Sequence, residues 1–140
     1  AFGLHHPGGK LGMSLQSVRD WMGDRPAAPA TVALDAPFSE VVSAITEGRK
    51  GAVAVIDADG TLAGIVTDGD VRRAFTRDIA RLVAADIMSA NPKVVGSGAR
   101  MSDVIDLMAQ NKISNLFVTE DNRPIAIVHI AELMQAGYVS

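Results

Sequence analysis

The chain is organised around the stretch Gly64-Ile65-Val66-Thr67-Asp68-Gly69-Asp70-Val71-Arg72-Arg73. An apolar strand over residues 62–66 runs into a polar turn, and a helix is expected to begin at about Val71. A turn between a strand and a helix leaves backbone N–H groups unpaired, and such groups suit an anion. Thr67 and Asp70 could hold a phosphate and a ribose diol there, respectively.

The same spacing has a purely structural interpretation. Thr67-x-x-Asp70 is a capping-box pattern with Asp in place of Glu, and such patterns are common at helix starts. The stretch alone favours the cap, although a cap and a ligand contact are compatible roles.

Composition restricts the class of protein. A chain of 140 residues, 48% of them hydrophobic, can form one domain or two small repeats that share a core. The net charge of −3 argues against nucleic acid as a general partner, and no apolar run approaches the ~18 residues of a membrane span. Cysteine is absent, which excludes disulfides and thiolate metal sites and fits a cytoplasmic protein. The opening Ala1-Phe2-Gly3-Leu4 has neither an initiator Met nor a signal-peptide pattern, which indicates a cut inside a longer chain.

Periodicity and turn residues predict a regular succession of elements. The predicted helices cover residues 14–22, with Ser14 as N-cap, a segment that begins at Asp35-Ala36-Pro37 and ends at Gly48, and residues 71–83. The predicted strands cover residues 30–34, 52–56 and 62–66, with Asp57-Ala58-Asp59-Gly60 as a hairpin turn.

The order of elements then repeats. Ala85-Asp86-Ile87-Met88 resembles Arg19-Asp20-Trp21-Met22 at a shift of 66 residues, and Leu116-Phe117-Val118 repeats Val53-Ala54-Val55 at a shift of 63. The pattern indicates an internal duplication of a helix–strand–helix–strand–strand–helix unit. Because a half of ~60–65 residues buries little apolar surface alone, the halves should pack about a pseudo-twofold axis, with a cleft between them.

A tandem of this order resembles a pair of CBS domains, with Asp-x-Met in the first helix of each repeat and Gly-h-h-Thr-x-x-Asp after the last strand of one. The resemblance covers about residues 17–139. It implies an α+β (α/β) fold of two CBS repeats, each a small sheet with flanking helices. In that family the Thr and Asp of the motif bind the phosphate or ribose of a nucleotide in the inter-repeat cleft. These positions are Thr67 and Asp70, so in this context a nucleotide contact outweighs a mere cap.

The N-terminal residues resemble a narrower group. The segment Leu4-His5-His6-Pro7-Gly8-Gly9-Lys10-Leu11-Gly12 is similar to the junction between the sugar-isomerase (SIS) domain and the CBS pair of D-arabinose-5-phosphate isomerases. Residues 67–73 and the end of the chain match the same enzymes. They interconvert ribulose 5-phosphate and arabinose 5-phosphate on the route to Kdo, the acidic sugar of lipopolysaccharide. The resemblance places their proposed catalytic His at His6, without the rest of the SIS domain, so the fragment itself is not expected to be an enzyme.

The second repeat departs from the nucleotide motif. Its equivalents of Thr67 and Asp70 are His129 and Glu132. A His can donate to a phosphate and a Glu can accept from a diol, but the extra methylene of Glu moves the carboxylate outward. We therefore expect one good site and a weaker second site at His129 and Glu132. The alternative for His129 is a partly buried structural position at a helix start.

A basic stripe follows the central turn. Arg73, Arg77 and Arg81 recur at i, i+4 and i+8 of the predicted helix, with Arg72 beside them. Such a stripe is usually a solvated face paired with nearby Asp residues. Since guanidinium also binds phosphate and carboxylate bidentately, Arg72 and Arg73, nearest the turn, are predicted ligand contacts. No metal site is predicted, because the acidic residues lie in turns at opposite ends of one strand.

These observations predict a regulatory, ligand-sensing CBS pair of an arabinose-5-phosphate isomerase. Residues 1–13 are interpreted as the tail of the SIS domain and a linker, residues 14–82 as the first CBS repeat and residues 83–140 as the second. The resemblance suggests CMP-Kdo as the nucleotide effector, with AMP or ATP as the alternative, and no cofactor is required. The base is expected near Thr31-Val32 and Gly51-Ala52, where strand edges enter the cleft.

Two readings from other classes stay open. One is an enzyme acting through His6 or His129, and the other is a ligand-free assembly domain that holds isomerase subunits in a homo-oligomer. The predicted partners are the nucleotide, the chain's own SIS domain and a second copy of the chain, with no nucleic acid and no membrane.

Overall fold

The computed structural model describes residues 15–23 and 28–138. The helices there are α1 (Val18–Met22), α2 (Phe38–Gly48), α3 (Asp68–Ala74), α4 (Ala84–Ile87), α5 (Met101–Asn111) and α6 (Ile130–Gln135). The strands are β1 (Thr31–Ala33), β2 (Ala52–Ile56), β3 (Leu62–Thr67), β4 (Ser89–Ala90), β5 (Val94–Gly96), β6 (Asn115–Glu120) and β7 (Arg123–His129). A 3-10 turn, Ile79–Arg81, lies between α3 and α4.

The duplication expected from the sequence is present in the fold. The order α1-β1-α2-β2-β3-α3 recurs as α4-β5-α5-β6-β7-α6. In each half the first strand pairs in parallel with the second, and the second forms an antiparallel hairpin with the third. The predicted turn of the first hairpin is confirmed, since Asp57 Oδ1 accepts from the N–H groups of Asp59 at 2.9 Å and Thr61 at 3.0 Å. Two small sheets flanked by helices result, as the predicted fold class requires.

Each half has its own core, and the first helix of each half packs into the core of the other. Val18 of α1 is buried among residues of α5, β6, β7 and α6. Ala84 and Ile87 of α4 are buried in the core formed by β1, α2, β2 and β3. Backbone hydrogen bonds hold this exchange: Val18 N–H donates to Ala99 O at 2.7 Å, and Ala84 N–H donates to Ala36 O at 2.9 Å. The two halves are therefore interlocked rather than merely in contact.

The two sheets pack against each other through a third set of buried side chains. Ala52 and Ala54 of β2 lie against Phe117 of β6 and Ile127 of β7. Because the alanines are short, the phenyl ring of Phe117 is enclosed between the sheets, with 1% of the residue's surface exposed. This contact sets the distance between the halves and hence the shape of the space between them.

Strand β4 makes the first sheet one strand wider than the second. The strand order is β1-β2-β3-β4 in the first sheet and β5-β6-β7 in the second. Strand β4 can approach β3 because Gly64 has no side chain: a Cβ there would lie 2.9 Å from the backbone oxygen of Ser89 and 2.5 Å from Met88 Sδ. The equivalent residue of the second repeat is Ala126, in a strand that forms the sheet edge in the described part of the chain.

Both predicted ends of the helix that follows the central turn are wrong. Helix α3 begins at Asp68 and ends at Ala74, whereas residues 71–83 were expected to be helical. It begins early because Thr67 caps it. It ends because the chain turns back to the first core, where Leu82 O accepts from Phe38 N–H at 3.1 Å. The predicted end of α2 at Gly48 is confirmed, and the left-handed position after the helix is taken by Arg49, with φ of 58°.

The N-terminal helix is capped one turn later than expected. Helix α1 begins at Val18, and Ser17 Oγ accepts from Asp20 N–H at 3.0 Å. The predicted cap, Ser14, lies outside the described residues. Residues 1–13, and with them His6, lie outside them too.

Candidate functional site

Thr67 and Asp70 form the turn that joins β3 to α3, and they are bonded to each other. Asp70 Oδ2 accepts from the Thr67 N–H at 2.9 Å and from the Thr67 hydroxyl at 3.1 Å. Thr67 Oγ1 accepts in return from the Asp70 N–H at 3.3 Å. The predicted capping box is confirmed. It fixes both side chains where the strand ends.

Arg73 occupies the remaining oxygen of Asp70. The Arg73 Nη2 donates to Asp70 Oδ1 at 2.6 Å. The two side chains differ in exposure, because 9% of the Asp70 side chain is accessible against 73% of the Arg73 side chain. The turn therefore holds the carboxylate in place, whereas the guanidinium reaches it from the solvent side.

The turn lines a cleft of about 600 Å³ between the two halves, which we call the Thr67 cleft. The first half supplies the turn together with Gly51 and Ile65. The second half supplies residues 89–93, residues 112–115 and His129. Small-molecule sites usually enclose ~300–1,000 Å³, so the cleft has the size of a ligand site. A ligand held there would contact both halves at once.

The cleft carries more basic than acidic side chains. Arg73, Lys93 and Lys112 line it, against the carboxylates of Asp68 and Asp70. Neither lysine forms an ion pair with any of the described residues. Both positive charges are therefore available to an anionic ligand.

The wall of the cleft also presents an amide group. Asn115 is the first residue of β6 and lines the cleft. Its Oδ1 is buried and accepts no hydrogen bond from the described residues. An unpaired buried acceptor destabilises the protein, so this amide is a candidate polar contact for a ligand.

The predicted base contacts lie in different places. Gly51 lines the Thr67 cleft, whereas Ala52 lines a second cleft. Thr31 and Val32 line neither of these clefts, and Val32 is buried in the first core with 4% of its surface exposed. The turn of the first repeat thus faces mainly the strand ends of the second repeat.

Residues 91–93 and 112–115 occupy the place expected for Thr31, Val32 and Ala52, and the sequence reasoning missed them. A signal was available, because the shift of 63 residues relates Gly51-Ala52 to Ser114-Asn115. A pseudo-twofold axis brings the turn of one repeat to the strand ends of the other. Assigning the base contacts of each turn to the strand ends of the other repeat, instead of its own, would have found these residues.

A smaller cleft of about 160 Å³ lies at the turn of the second repeat. Glu132 and Lys50 line it, and Lys50 Nζ lies 2.7 Å from Glu132 Oε2. Glu132 Oε1 accepts from the His129 N–H at 3.2 Å, and His129 Nδ1 accepts from the Ala131 N–H at 3.0 Å. The His129 residue lines the Thr67 cleft instead of this one. The two residues thus line different clefts, and both of them cap α6.

The remaining arginines lie away from the Thr67 cleft. Because α3 ends before them, Arg77 and Arg81 do not continue its face, so the predicted stripe along one helix is wrong. Arg77 Nη1 donates to the backbone oxygen of Asp86 at 3.2 Å. Arg72 is exposed and does not line the cleft. Of the two arginines predicted to contact a ligand, the structure brings Arg73 to the cleft.

A hydrogen-bonded cluster attaches α1 to the second half. The Arg19 Nη2 donates to Ser97 Oγ at 2.7 Å and to Glu120 Oε2 at 3.3 Å, and Ser97 Oγ donates to the same carboxylate oxygen at 2.7 Å. The hydrogen bond from Ser97, followed by that from Arg19, holds the pKa of Glu120 below its usual value. The cluster lies where the N-terminal helix meets the second repeat.

The described part of the chain shows neither a metal-binding cluster nor a membrane-spanning helix. It holds no group of three or more His, Cys, Asp or Glu residues arranged to bind a metal ion. Its helices are all too short or too polar to cross a membrane.

Comparison with known proteins identifies the duplication. The sequence pattern of the CBS domain matches residues 18–77 and again residues 83–138. The arabinose 5-phosphate isomerase KpsF of Escherichia coli is 38% identical over 134 residues, which are 92% of this chain and 40% of that protein. The arabinose 5-phosphate isomerase KdsD of Pseudomonas aeruginosa is 34% identical over 140 residues, 97% of this chain and 43% of that protein. The chain therefore spans about two fifths of the length of these relatives.

Solved structures share the fold. The CBS-domain containing protein ATU1752 from Agrobacterium tumefaciens has a TM-score of 0.77 at 22% identity, over 95% of this chain and 98% of that one. The CBS domain pair of protein MJ0100, solved with 5′-methylthioadenosine and S-adenosyl-L-methionine, has a TM-score of 0.73 at 21% identity, over 87% of this chain and 95% of that one. At such identities the likeness concerns the fold alone.

Proposed function

This chain belongs to the CBS domain family as a tandem pair, and we propose that it binds a nucleotide in the Thr67 cleft and so regulates an attached isomerase domain. Its relatives are named as arabinose 5-phosphate isomerases, and the chain matches about 40% of their length. The isomerase chemistry is therefore expected in another part of a bacterial, cytoplasmic parent protein. The 140-residue chain itself should show no turnover of arabinose 5-phosphate.

One observation carries the proposal. The Thr67–Asp70 turn of one repeat opens into a cleft of about 600 Å³ whose other wall belongs to the second repeat. A nucleotide has a phosphate, a ribose diol and a base, which require a cation, a carboxylate and polar groups on a wall. The cleft offers these in Lys93 and Lys112, in Asp70, and in the amide of Asn115.

CMP-Kdo is the ligand that we favour. It carries two anionic groups, a phosphate and the carboxylate of its sugar acid, and the cleft carries three basic side chains, Arg73, Lys93 and Lys112. The family resemblance adds that Kdo is made downstream of arabinose 5-phosphate, which suits feedback regulation. AMP or ATP is the alternative, because an adenine nucleotide also has a phosphate, a ribose diol and a base.

The interlocked fold offers a route from the cleft to an attached domain. A ligand that contacts both repeats stabilises one arrangement of the two halves relative to others. Helix α1, which follows the N-terminal segment, is fixed to the second half by the Val18–Ala99 backbone bond and by the Arg19–Ser97 contact. A change in the arrangement of the halves would therefore move α1 relative to the rest of the first half.

Thermal unfolding of the chain with CMP-Kdo, CMP, AMP, ATP or buffer tests the proposal. A ligand that binds the native state alone stabilises it by about 2.7 kcal/mol at a hundredfold excess over Kd, which raises the midpoint by roughly 8 °C for a chain of this size. The Asp70→Asn variant should lose this shift. Since Asp70 also caps α3, the affinity of the variant is measured by titration calorimetry well below its own midpoint.

The chain offers a matched control for that variant. Glu132→Gln makes the same charge change in the same capping position of the second repeat, where the carboxylate is paired with Lys50. It should bind the nucleotide like the unchanged protein. If no nucleotide shifts the midpoint, or if both variants lose binding equally, the Thr67 cleft is not the sensor site.

A second function, assembly of isomerase subunits, is favoured by one observation. Phe75, directly after α3, and Met134 of α6 are 61% and 54% exposed although both are large and apolar. Covering a large apolar side chain with a second copy of the chain would remove it from water, which favours association. Sedimentation velocity of the chain and of a Phe75→Ser variant tests this function. A dimer that Phe75→Ser dissociates, combined with no response to nucleotides, would make assembly the leading function.

A further inference from the structure

Both oxygens of the Asp70 carboxylate are engaged in this structure. Oδ2 accepts from the N–H and the hydroxyl of Thr67, at 2.9 and 3.1 Å. Oδ1 accepts from Arg73 Nη2 at 2.6 Å. A ribose diol must donate to this carboxylate, and the bonds to Thr67 belong to the cap that holds the turn. A carboxylate oxygen can accept two hydrogen bonds, but only 9% of the Asp70 side chain is accessible, so a diol that reaches Oδ1 competes with Arg73 for it.

Arg73 is able to leave. Its side chain is 73% exposed, and an ion pair with that much contact with water contributes little stability. Its guanidinium lies close to Gly69, because a Cβ built on Gly69 would be 3.3 Å from Arg73 Nη1. Arg73 and Asp70 also line a separate cavity of about 160 Å³. The Arg73 side chain thus lies between the Thr67 cleft and this cavity, and it has open space towards each of them.

The charges of the cleft indicate where the freed guanidinium goes. Once a diol takes Oδ1, the arginine loses its ion-pair partner, and a guanidinium is more stable when it pairs with another anion. Asp68 is one anion that lines the cleft. The phosphate of a bound nucleotide is an anion in the same cleft, beside Lys93 and Lys112. A nucleoside brings the diol without that anion.

We infer that Arg73 is an exchangeable arm, which pairs with Asp70 in the free protein and moves to the ligand's phosphate when the sugar diol takes its place. The inference rests on the proposed nucleotide function and deepens it. It assigns to the site a ligand class, nucleoside phosphates in preference to nucleosides. The preference arises because a nucleotide replaces the ion pair that it breaks, whereas a nucleoside breaks the pair and replaces nothing.

Replacing Arg73 should change the two ligand classes in opposite directions. In Arg73→Gln the phosphate loses a charged donor, so the Kd for CMP should rise about tenfold. The diol no longer competes with an arginine, so the Kd for cytidine should fall about two- to fivefold, the range that an exposed ion pair allows. Arg73→Lys keeps the positive charge and should restore most of the affinity for CMP.

The experiment titrates the 140-residue chain with CMP and with cytidine, and with AMP and adenosine as a second pair, by NMR chemical-shift changes that report millimolar affinities. Arg72→Gln is the matched control. It removes the same charge from the neighbouring residue, whose side chain is exposed and lies outside the cleft. It should leave both affinities within about twofold of the unchanged protein.

The outcomes separate the inference from the function on which it rests. If neither nucleotide binds the unchanged chain, the proposed function fails, and the inference fails with it. If a nucleotide binds and Arg73→Gln weakens it while the nucleoside is weakened, unchanged or undetected, the site is a nucleotide site and Arg73 is a plain phosphate contact. The exchange is then refuted. Opposite changes for the two ligands, absent in Arg72→Gln, support it.

Discussion

Adding one methyl group at Gly64 should separate two strands and damage the ligand cleft. Gly64 is the first residue of the central stretch and pairs across β3 and β4 with Ala90. A Cβ built on it would lie 2.5 Å from Met88 Sδ, 2.9 Å from Met88 Cγ and 2.9 Å from the backbone oxygen of Ser89. The flexible Met88 side chain can yield to a new methyl group, but the backbone of Ser89 belongs to a paired strand.

The size of the effect follows from these distances. The Ser89 oxygen must withdraw by about 0.5 Å to reach 3.4 Å, the shorter limit of ordinary contact, and Met88 must leave its place against the first core. Overpacking of this kind costs about 1–3 kcal/mol, and the lower chain entropy of Ala in the unfolded state offsets about 0.5 kcal/mol. We expect Gly64→Ala to lower the free energy of unfolding by about 2 kcal/mol.

Urea unfolding followed by circular dichroism measures this change. Gly96→Ala is the matched control, since it adds the same methyl group to strand β5, where no atom lies within 4 Å of the new Cβ. The control should be neutral or stabilised by up to about 1 kcal/mol. Because Ser89 and Ala90 lead into the cleft wall at residues 91–93, Gly64→Ala should also weaken nucleotide binding, and Gly96→Ala should not.

The reasoning would be refuted by equal stability of the two variants. Suppose that Gly64→Ala unfolds at the same urea concentration as Gly96→Ala, with the same dependence of the unfolding free energy on urea. Then β4 does not pack closely enough on β3 to exclude a methyl group at Gly64. A Gly64→Ala variant that is destabilised but binds nucleotide normally would refute the link between β4 and the cleft wall.

Three further predictions concern the core, the N-terminal helix and the second cleft. Phe117→Ala should lower the free energy of unfolding by about 3–5 kcal/mol in urea unfolding, because it empties the contact between the sheets; a loss below about 1 kcal/mol would contradict that packing. The pKa of Glu120 is lowered in the folded protein, so its ionised form contributes stability above its ordinary pKa near 4.5, and this is lost as the pH falls through the lower folded value. The stability difference between the unchanged protein and Glu120→Gln should therefore shrink from pH 7 to pH 3, and a difference that stays constant would contradict the role of Ser97. A double-mutant cycle of Lys50→Ala and Glu132→Ala should give a coupling of about 0.5 kcal/mol, since both side chains are about one-third exposed; a coupling above about 2 kcal/mol would show that this pair locks the second cleft.

Local patterns were sufficient to predict most elements and the capping turn. The alternation of apolar residues, the turn at Asp57 and the Thr67–Asp70 spacing act over a few residues, so a single stretch of chain specifies each of them. The end of α3 could not be predicted in this way. Residues 75–83 have a helical pattern, but the hydrogen bond from Phe38 to Leu82 draws them back to the first core. Tertiary contact overrode propensity there.

The residues of the candidate site also fall into those that the sequence could predict and those that it could not. Thr67, Asp70 and Arg73 lie within seven residues of each other, and the sequence sufficed to nominate all three. Lys93 and Asn115 join them only through the packing of one repeat against the other. The sequence also predicted Arg72, which the helix turns away from the cleft, because neighbouring residues of a helix point in different directions.

By itself the sequence determined the duplication, the family, and one intact Thr-x-x-Asp motif beside one altered copy, because these reside in the order and identity of residues. The tertiary structure alone decided that α1 and α4 exchange cores, that each turn faces the strand ends of the other repeat, and that the two clefts differ in volume, about 600 against 160 Å³. The reason is physical: hydrogen bonds in turns and helices join residues a few positions apart, whereas a cleft exists only where apolar faces from distant parts of the chain are buried together.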